Sequence, residues 1–471
     1  MPFSAATLQS LQSIVGDQGF ITDQSEIAPY LIESRRRFHG HCDILIKPAT
    51  TKEVSEVLSL CNDEDIPVVP QGGNTGHCGG AVPNGGILLN LSRLNNIRNI
   101  DPLNATITVE AGCILQHIQE IAEKNNLLFP LSLAAEGSCQ IGGNLSTNAG
   151  GVHVLRYGNM RELTLGLEVV MADGQIFKGL RGLRKDNTGY DLKQLFIGAE
   201  GTLGVITAAT LRLFPKPKET VTCFVAGETV AHMMDGFAHL RDHFSGELNA
   251  FEIMPRFGLE MVCRHHKYLR DPFDEPYSWY GVVEVSATRT DTNLRAQLEE
   301  QLQILLERDI LQNVLIAETL IQAENFWHLR ENMSDAQKHE GASIKHDVSV
   351  PVSKIADFIS ETCHMLHNVM PDARLCPFGH LGDGNIHFNI SQPVDMDKTA
   401  FIGHTRDFNE IVYDMVDKYD GSFSAEHGIG LIKTEEMSHF KGGAELDAMK
   451  KIKACLDPNA ILNPKKVLPT D

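Results

Sequence analysis

Five glycines fall within residues 72–80, in the stretch PQGGNTGHCGG that begins at Pro70. A short apolar run at 66–69 leads into them. With side chains almost absent, backbone N–H groups can approach an anion directly, and glycine permits the positive φ angles such a loop needs. The pattern suits a cradle for a diphosphate. It is not the dinucleotide fingerprint, because no Gly-x-Gly-x-x-Gly opens a helix after it. Taken alone, the stretch is also readable as a surface turn.

Residues 140–151, QIGGNLSTNAGG, repeat the same chemistry with four more glycines, and GAEGTLG follows at 198–204. Together the three stretches resemble the FAD-binding domain of the PCMH/vanillyl-alcohol-oxidase type, over roughly residues 38–217. The resemblance implies FAD, held by Pro70, Gly72, Gly73, Asn74, Thr75, Gly76, Gly137, Gly142, Gly143, Thr147, Asn148, Gly151, Glu200, Gly201, Ile206 and Asn463. Covalent members of that group carry a histidine after the paired glycines, where this chain has Asn74. Noncovalent FAD is therefore implied.

At 471 residues, two domains are the natural expectation. Lysine and arginine total 41 against 61 acidic residues, a net charge of −20, which argues against nucleic acid and anionic membrane surfaces as partners. The ten cysteines are scattered without a Cys-x-x-Cys pair, the usage expected of reduced thiols rather than of a disulfide framework. No basic, apolar leader opens the chain and no apolar run is long enough to span a membrane. A soluble, cytoplasmic protein is expected.

Periodicity predicts helices over 50–62 and 114–124, strands at 66–69, 87–91, 105–110 and 203–213, and a hairpin over 165–178. A boundary is expected near 218. Beyond it come two β-α-β units, at 220–253 and 280–318, expected to form a ferredoxin-like sheet. Further helices are predicted at 323–337, 353–367 and 398–419, and a strand at 343–350. The expected class is α+β: an FAD-binding domain over 1–217, a substrate domain over 218–455, and a tail, 456–471, returning to the first.

The second half carries GHLGDGNIHFN at 379–389 and SAEHG at 424–428. His380 and His387 flank a Gly-Asp-Gly turn, so both can converge on one point, and His387 and Asn389 share a strand face. Glu426 adds an oxygen ligand. Two imidazoles and a carboxylate with open positions suit zinc, with manganese or iron as alternatives. In a chain with 20 histidines, a chance pairing is the competing reading.

These motifs resemble those of the FAD-linked D-2-hydroxyacid dehydrogenases, the group that includes D-lactate and D-2-hydroxyglutarate dehydrogenases. The resemblance implies a divalent metal on His380, His387 and Glu426, and His427 as general base. It also implies oxidation of a D-2-hydroxyacid by metal-assisted proton abstraction and hydride transfer to flavin N5. LRKDNTGYDLKQLFIG at 183–198 looks like the branch that oxidises D-2-hydroxyglutarate to 2-oxoglutarate. In that branch Arg330, Ser334 and Lys345 match the substrate-binding positions, and Asn389 joins them. Arg330 and Ser334, four apart on a predicted helix, would share a face. On spacing alone, both cations read more readily as solvated surface charges.

D-lactate or D-malate is the alternative substrate, an O2-using oxidase a second alternative, and an electron-carrying flavin protein a third. The family implies an electron-transfer flavoprotein or a quinone-linked acceptor, and a homodimer is expected. Arg35, Arg36 and Arg37 read as a solvated face, and His265 and His266 read as lacking a carboxylate partner.

Overall fold

The computed structural model describes residues 3–33 and 35–469, and the statements below concern those residues. Contacts divide the chain into two compact units. The first comprises Met1–Gly151, Gly158–Lys216 and Glu426–Asp471; the second comprises Val152–Tyr157 and Pro217–Ala425.

In the first unit, helix Thr51–Asp63 starts where Thr50 accepts a hydrogen bond from Glu53 N at 3.1 Å. The Glu53 carboxylate reaches back one residue further than a capping box requires, to Ala49 N at 2.7 Å. The helix buries Val54, Val57, Leu58 and Cys61 against Ile44, Ile46, Val68 and Ile87. Those apolar residues belong to a four-stranded sheet ordered Phe20–Ile21, Ile44–Ile46, Ile87–Asn90, Val68–Gln71, with the last three strands parallel. A five-stranded antiparallel sheet stands beside it in the sequence: Ile97–Asp101, Thr106–Glu110, Val205–Arg212, Thr164–Val170, Ile176–Gly179.

The last segment of this unit begins at Glu426, thirty residues before the expected return at 456. Its partners explain the difference. Leu431 N donates to the Cys78 carbonyl at 2.8 Å, and the backbones of Val68, Ile461 and Asn463 bond one another at 2.8 Å. Asp457, wholly buried, accepts from Ile461 N and Leu462 N and pairs with Lys453. Composition carries no trace of such distant pairings.

The second unit is built on seven strands: β1 (Glu219–Gly227), β2 (Leu248–Pro255), β3 (Trp279–Ala287), β4 (Asn313–Ile316), β5 (Ser343–Ser349), β6 (Arg374–His380) and β7 (Asn385–Ser391). Their order is β4-β1-β3-β2-β6-β7-β5, antiparallel throughout. The first four form the expected ferredoxin-like arrangement, crossed by helices Val230–His243 and Leu294–Glu307. The β6-β7 hairpin and β5 extend that sheet past β2. Two predicted helices are broken: 323–337 becomes Leu320–Glu331 and Met333–Ala336 with a turn at Asn332, and 398–419 becomes Lys398–Gly403 and Thr405–Lys418.

Every residue of β2 is buried. Helices Arg256–His265 and Leu320–Glu331 contribute Leu259, Met261, Phe326 and Leu329 to a core with Met254, Tyr280, Cys376 and Phe378. A charged side chain in such a strand must be paired.

Asp457 is the anchor of the returning tail, so Asp457→Ala leaves Lys453 without its carboxylate and frees two buried amides. Breaking a buried pair costs about 3–5 kcal/mol, and the urea midpoint of the first unit should fall accordingly. An unchanged midpoint would show that the tail is held by its apolar contacts alone.

Candidate active site

One face of the second unit's sheet gathers the chemistry. In an antiparallel ladder, directly opposed residues point the same way. Glu252 of β2 lies opposite His380 of β6, Phe378 opposite His387 of β7, and Cys376 opposite Asn389. Across the next pair, Lys345 of β5 is opposite Asn389, and Asp347 is opposite His387. The sheet order thus sets eight side chains on a common surface, with the two predicted imidazoles in the middle.

The ring centroids of His380 and His387 are 5.5 Å apart, edge to face. His380 Nδ1 is 2.7 Å from Glu252 Oε1, and His387 Nδ1 is 3.7 Å from Asp347 Oδ1. A carboxylate hydrogen-bonded to Nδ1, as at His380, is the arrangement that orients a histidine toward an ion. Asp347 is itself held by the Asn385 amide at 3.0 Å. Ala425 N donates to the Asp347 carbonyl at 3.3 Å.

Arg330 is buried, not solvated. Its Nε donates to Glu252 Oε2 at 2.8 Å, and its guanidinium lies over the Phe378 ring at 4.7 Å from the centroid. Burial pushes the Glu252 carboxyl up, but His380 and Arg330 outweigh it and hold the group below the usual range. Lys345 Nζ reaches the Ser334 carbonyl at 3.5 Å, and the Asn389 amide donates to Gln337 Oε1 at 2.9 Å. Arg330 and Ser334 do not lie on one continuous helix, because the turn at Asn332 separates them. Asn332 keeps right-handed helical geometry, with its N–H bonded to the His328 carbonyl and its carbonyl to Ala336 N.

In the first unit, the glycines have different reasons to be glycine. A Cβ on Gly73 would overlap the Ser138 carbonyl, one on Gly151 the Ser132 carbonyl, and one on Gly142 would come 2.8 Å from the Ala111 side chain. These three are required by close packing. A Cβ on Gly76 or Gly143 would meet nothing within 4 Å. Gln140 Oε1 and Asn144 Oδ1, close to Gly143 in sequence, and Asn463 Oδ1 are buried with no hydrogen-bond partner among the described residues. Open backbone and unspent polar atoms together fit a polar cofactor.

Other predicted cofactor residues are committed to the fold. The Asn74 amide donates to the Ile32 carbonyl at 2.9 Å, Asn148 Oδ1 accepts from Arg161 N at 2.9 Å, and Thr147 Oγ1 donates to the Gly143 carbonyl at 3.1 Å. Asn74 and Asn148 both have positive φ, near 50°. Ile206 is buried within Val205–Arg212, Gly201 (φ 72°) packs against Pro70, and Gly137 faces Gln116. Residues 141–146, read as part of a loop, form a short helix.

Glu200 is buried, and burial raises its carboxyl, against the pull of the two backbone amides it binds: Ile429 N at 2.7 Å and Gly430 N at 2.9 Å. The Asn463 amide donates to the carbonyls of Glu200 and Gly80 at 2.6 and 2.9 Å. His427 precedes this clamp and stands edge-on to His77, ring centroids 5.1 Å apart. Arg37, read as part of a solvated face, donates to the His77 carbonyl.

Sequence reasoning missed Glu252 and Asp347. Each is an acidic residue inside an apolar strand pattern, a signal that was present but not used. His265, read as lacking a carboxylate, has one in Glu340 at 2.7 Å. Burial opposes ionisation of Glu340, yet hydrogen bonds from His265, Arg374 and Arg264 bring its carboxyl down to about 2.

A family model described as "FAD linked oxidases, C-terminal domain" matches residues 216–467, and one described as "FAD binding domain" matches 42–179. The first spans more than half of the chain, and the protein belongs to the FAD-linked oxidases. Among its relatives is the mitochondrial D-2-hydroxyglutarate dehydrogenase of Danio rerio, 38% identical, with 100% of this chain and 87% of the relative covered. Another is a Schizosaccharomyces pombe protein provisionally named a mitochondrial D-lactate dehydrogenase, 35% identical over 98% of this chain and 90% of that one. The solved structure of p-cresol methylhydroxylase with substrate bound superposes with a TM-score of 0.75 at 18% identity, covering 99% and 97% of the two chains. The fold is the expected PCMH-type flavin fold.

The relatives correct one expectation. Both are named as mitochondrial proteins, which overturns the cytoplasmic location. Charge and cysteine usage report solubility and redox state, whereas location is set by addresses that receptors read. No helix among the described residues is long and apolar enough to cross a membrane.

Lys466 supplies a pH signature for this region. It is buried, donates to the Val82 carbonyl at 2.8 Å, and burial lowers its pKa to about 8 against the attraction of Glu200. Between about 8 and the ordinary 10.5, the unfolded chain holds a proton that the folded one has lost, so stability gains with rising pH across that window. Lys466→Met should flatten the rise in urea midpoint over that range; an identical slope in both proteins would refute the assignment.

Proposed function

We propose that this protein is an FAD-dependent dehydrogenase that oxidises D-2-hydroxyglutarate to 2-oxoglutarate. One observation carries the reading: a single sheet face bears His380, His387, Asn389 and Lys345, with Arg330 stacked over Phe378 in its midst. Imidazoles beside amide and cationic groups suit a hydroxyacid with a carboxylate at each end.

FAD is held noncovalently by the glycine stretches, whose open backbone at Gly76 and Gly143 accommodates a phosphate-bearing group. His380, His387 and Glu426 hold a divalent metal, zinc before manganese or iron. When bound, the flavin supplies a hydride acceptor and the metal a Lewis acid. The chain's own residues supply geometry and proton transfer. Arg330, Ser334, Lys345 and Asn389 orient the carboxylates, and a ring nitrogen of His427 takes the hydroxyl proton, as a neutral imidazole can near neutral pH.

D-lactate is the second reading, favoured by the Schizosaccharomyces pombe relative and by Glu252, which already balances the charge of Arg330. Lys345 decides between them. A site built for a polar partner discriminates strongly against an analogue that lacks it.

Anaerobic bleaching of the flavin with a panel of D- and L-2-hydroxyacids tests the activity directly. D-2-hydroxyglutarate should bleach fastest. Lys345→Met should cut its kcat/KM by about 10-fold or more, leaving D-lactate nearly unchanged. Faster bleaching by D-lactate in the unmodified protein would make the second reading the correct one.

The mode of flavin attachment has its own check. Acid precipitation should release all the yellow colour to the supernatant, since Asn74 occupies the position of the linking histidine. Flavin retained in the pellet would implicate His77.

A further inference from the structure

We propose that Glu252 is a positioning residue for two functional groups at once, orienting the ring of His380 toward a bound divalent ion and the guanidinium of Arg330 toward a substrate carboxylate. The inference rests on the roles given above to His380 and Arg330. It adds a residue that lies 128 positions from one partner and 78 from the other.

The geometry is specific. Glu252 is 1% exposed, in a strand buried at every residue. One oxygen, Oε1, meets His380 Nδ1 at 2.7 Å, and the other, Oε2, meets Arg330 Nε at 2.8 Å. A carboxylate accepts only, so the proton of that first bond sits on Nδ1 of His380, leaving Nε2 as the ring's donor to a metal. On the arginine side, Glu252 uses Nε, so the two terminal nitrogens are left for the forked recognition of another carboxylate. The guanidinium carbon lies 4.7 Å from the Phe378 ring centroid, a cation–π contact that holds the group over the ring.

Stability alone does not account for such a group. A buried ion pair is commonly no better than apolar residues of the same volume, and often worse. The neighbours Phe251, Ile253 and Met254 show that this strand accepts apolar side chains readily. Only a carboxylate offers two equivalent acceptor oxygens to two donors arriving from different elements. Glutamine offers one.

The test uses metal-stripped, full-length protein titrated with Zn2+ against a chromophoric chelator. Glu252→Gln should raise the Zn2+ Kd about 10–100-fold, with FAD content and far-ultraviolet circular dichroism unchanged. At saturating Zn2+, its KM for D-2-hydroxyglutarate should rise about tenfold, with a smaller change in kcat. Native-like Zn2+ affinity in the folded variant overturns the metal half of the proposal, and an unchanged KM overturns the substrate half. Should that variant not fold, the double variant Glu252→Leu with Arg330→Met removes both buried charges and leaves His380 without an acceptor. It must show the same loss of Zn2+ affinity; native-like binding refutes the role. Unmodified protein that takes up no Zn2+, Mn2+ or Fe2+ sinks the metal reading itself, an outcome distinct from native and variant chains binding equally.

Discussion

The first unit closes around the buried carboxylate of Glu200. Its two oxygens take the amides of Ile429 and Gly430, and its carbonyl takes the amide of Asn463, which also holds Gly80. Four distant stretches meet there: the first glycine loop, the GAEGTLG turn, the segment after His427, and the returning tail. The residue adopts a positive φ of 51°, an unfavourable conformation for a side-chain-bearing residue that the surrounding bonds impose. A loop that must leave backbone groups available for a ligand cannot spend them on its own rigidity. Amide side chains do that work instead: Asn90 holds Gln71 and Gly72, and Asn74 holds the carbonyl of Ile32.

The second unit solves a different problem. Helices on both sides of its sheet exclude water, and isolated charges there would cost more than the fold can offset. Its ionic groups therefore come in linked sets: Arg330 with Glu252 and His380, His387 beside Asp347, and Glu284 with His153, Asn249 and Trp327. The low-dielectric surroundings that make pairing obligatory also strengthen any interaction with a charged ligand. Trp327 joins one of these sets through its indole N–H, which donates to Glu284 at 3.1 Å.

The readable parts of the sequence were those where a residue type has a single physical use. Glycine clusters marked the backbone-rich stretches, and the His-x-Gly-Asp-Gly turn marked the imidazole pair. Hydrophobic periodicity exposed the two β-α-β units and, through them, the β4-β1-β3-β2 order. Even so, glycine counts did not distinguish Gly73, required by the Ser138 carbonyl, from Gly143, which faces open space. Nor did helical spacing reveal the one-residue turn at Asn332, beyond which Met333 and Ala336 pack into the core.

What the sequence determined by itself was local: where the chain turns, which segments alternate or repeat at 3.6 residues, and which chemistries are present. What the tertiary structure decided was partnership. The apolar run around Glu252 marks its burial but not its partners, and Glu426 reads as part of the domain before it rather than the unit after it. Both outcomes follow from strand order and from hydrogen bonds between residues tens to hundreds of positions apart. Periodicity reports only a residue's own burial, whereas the identity of the group that must neutralise it depends on which strand the sheet sets alongside.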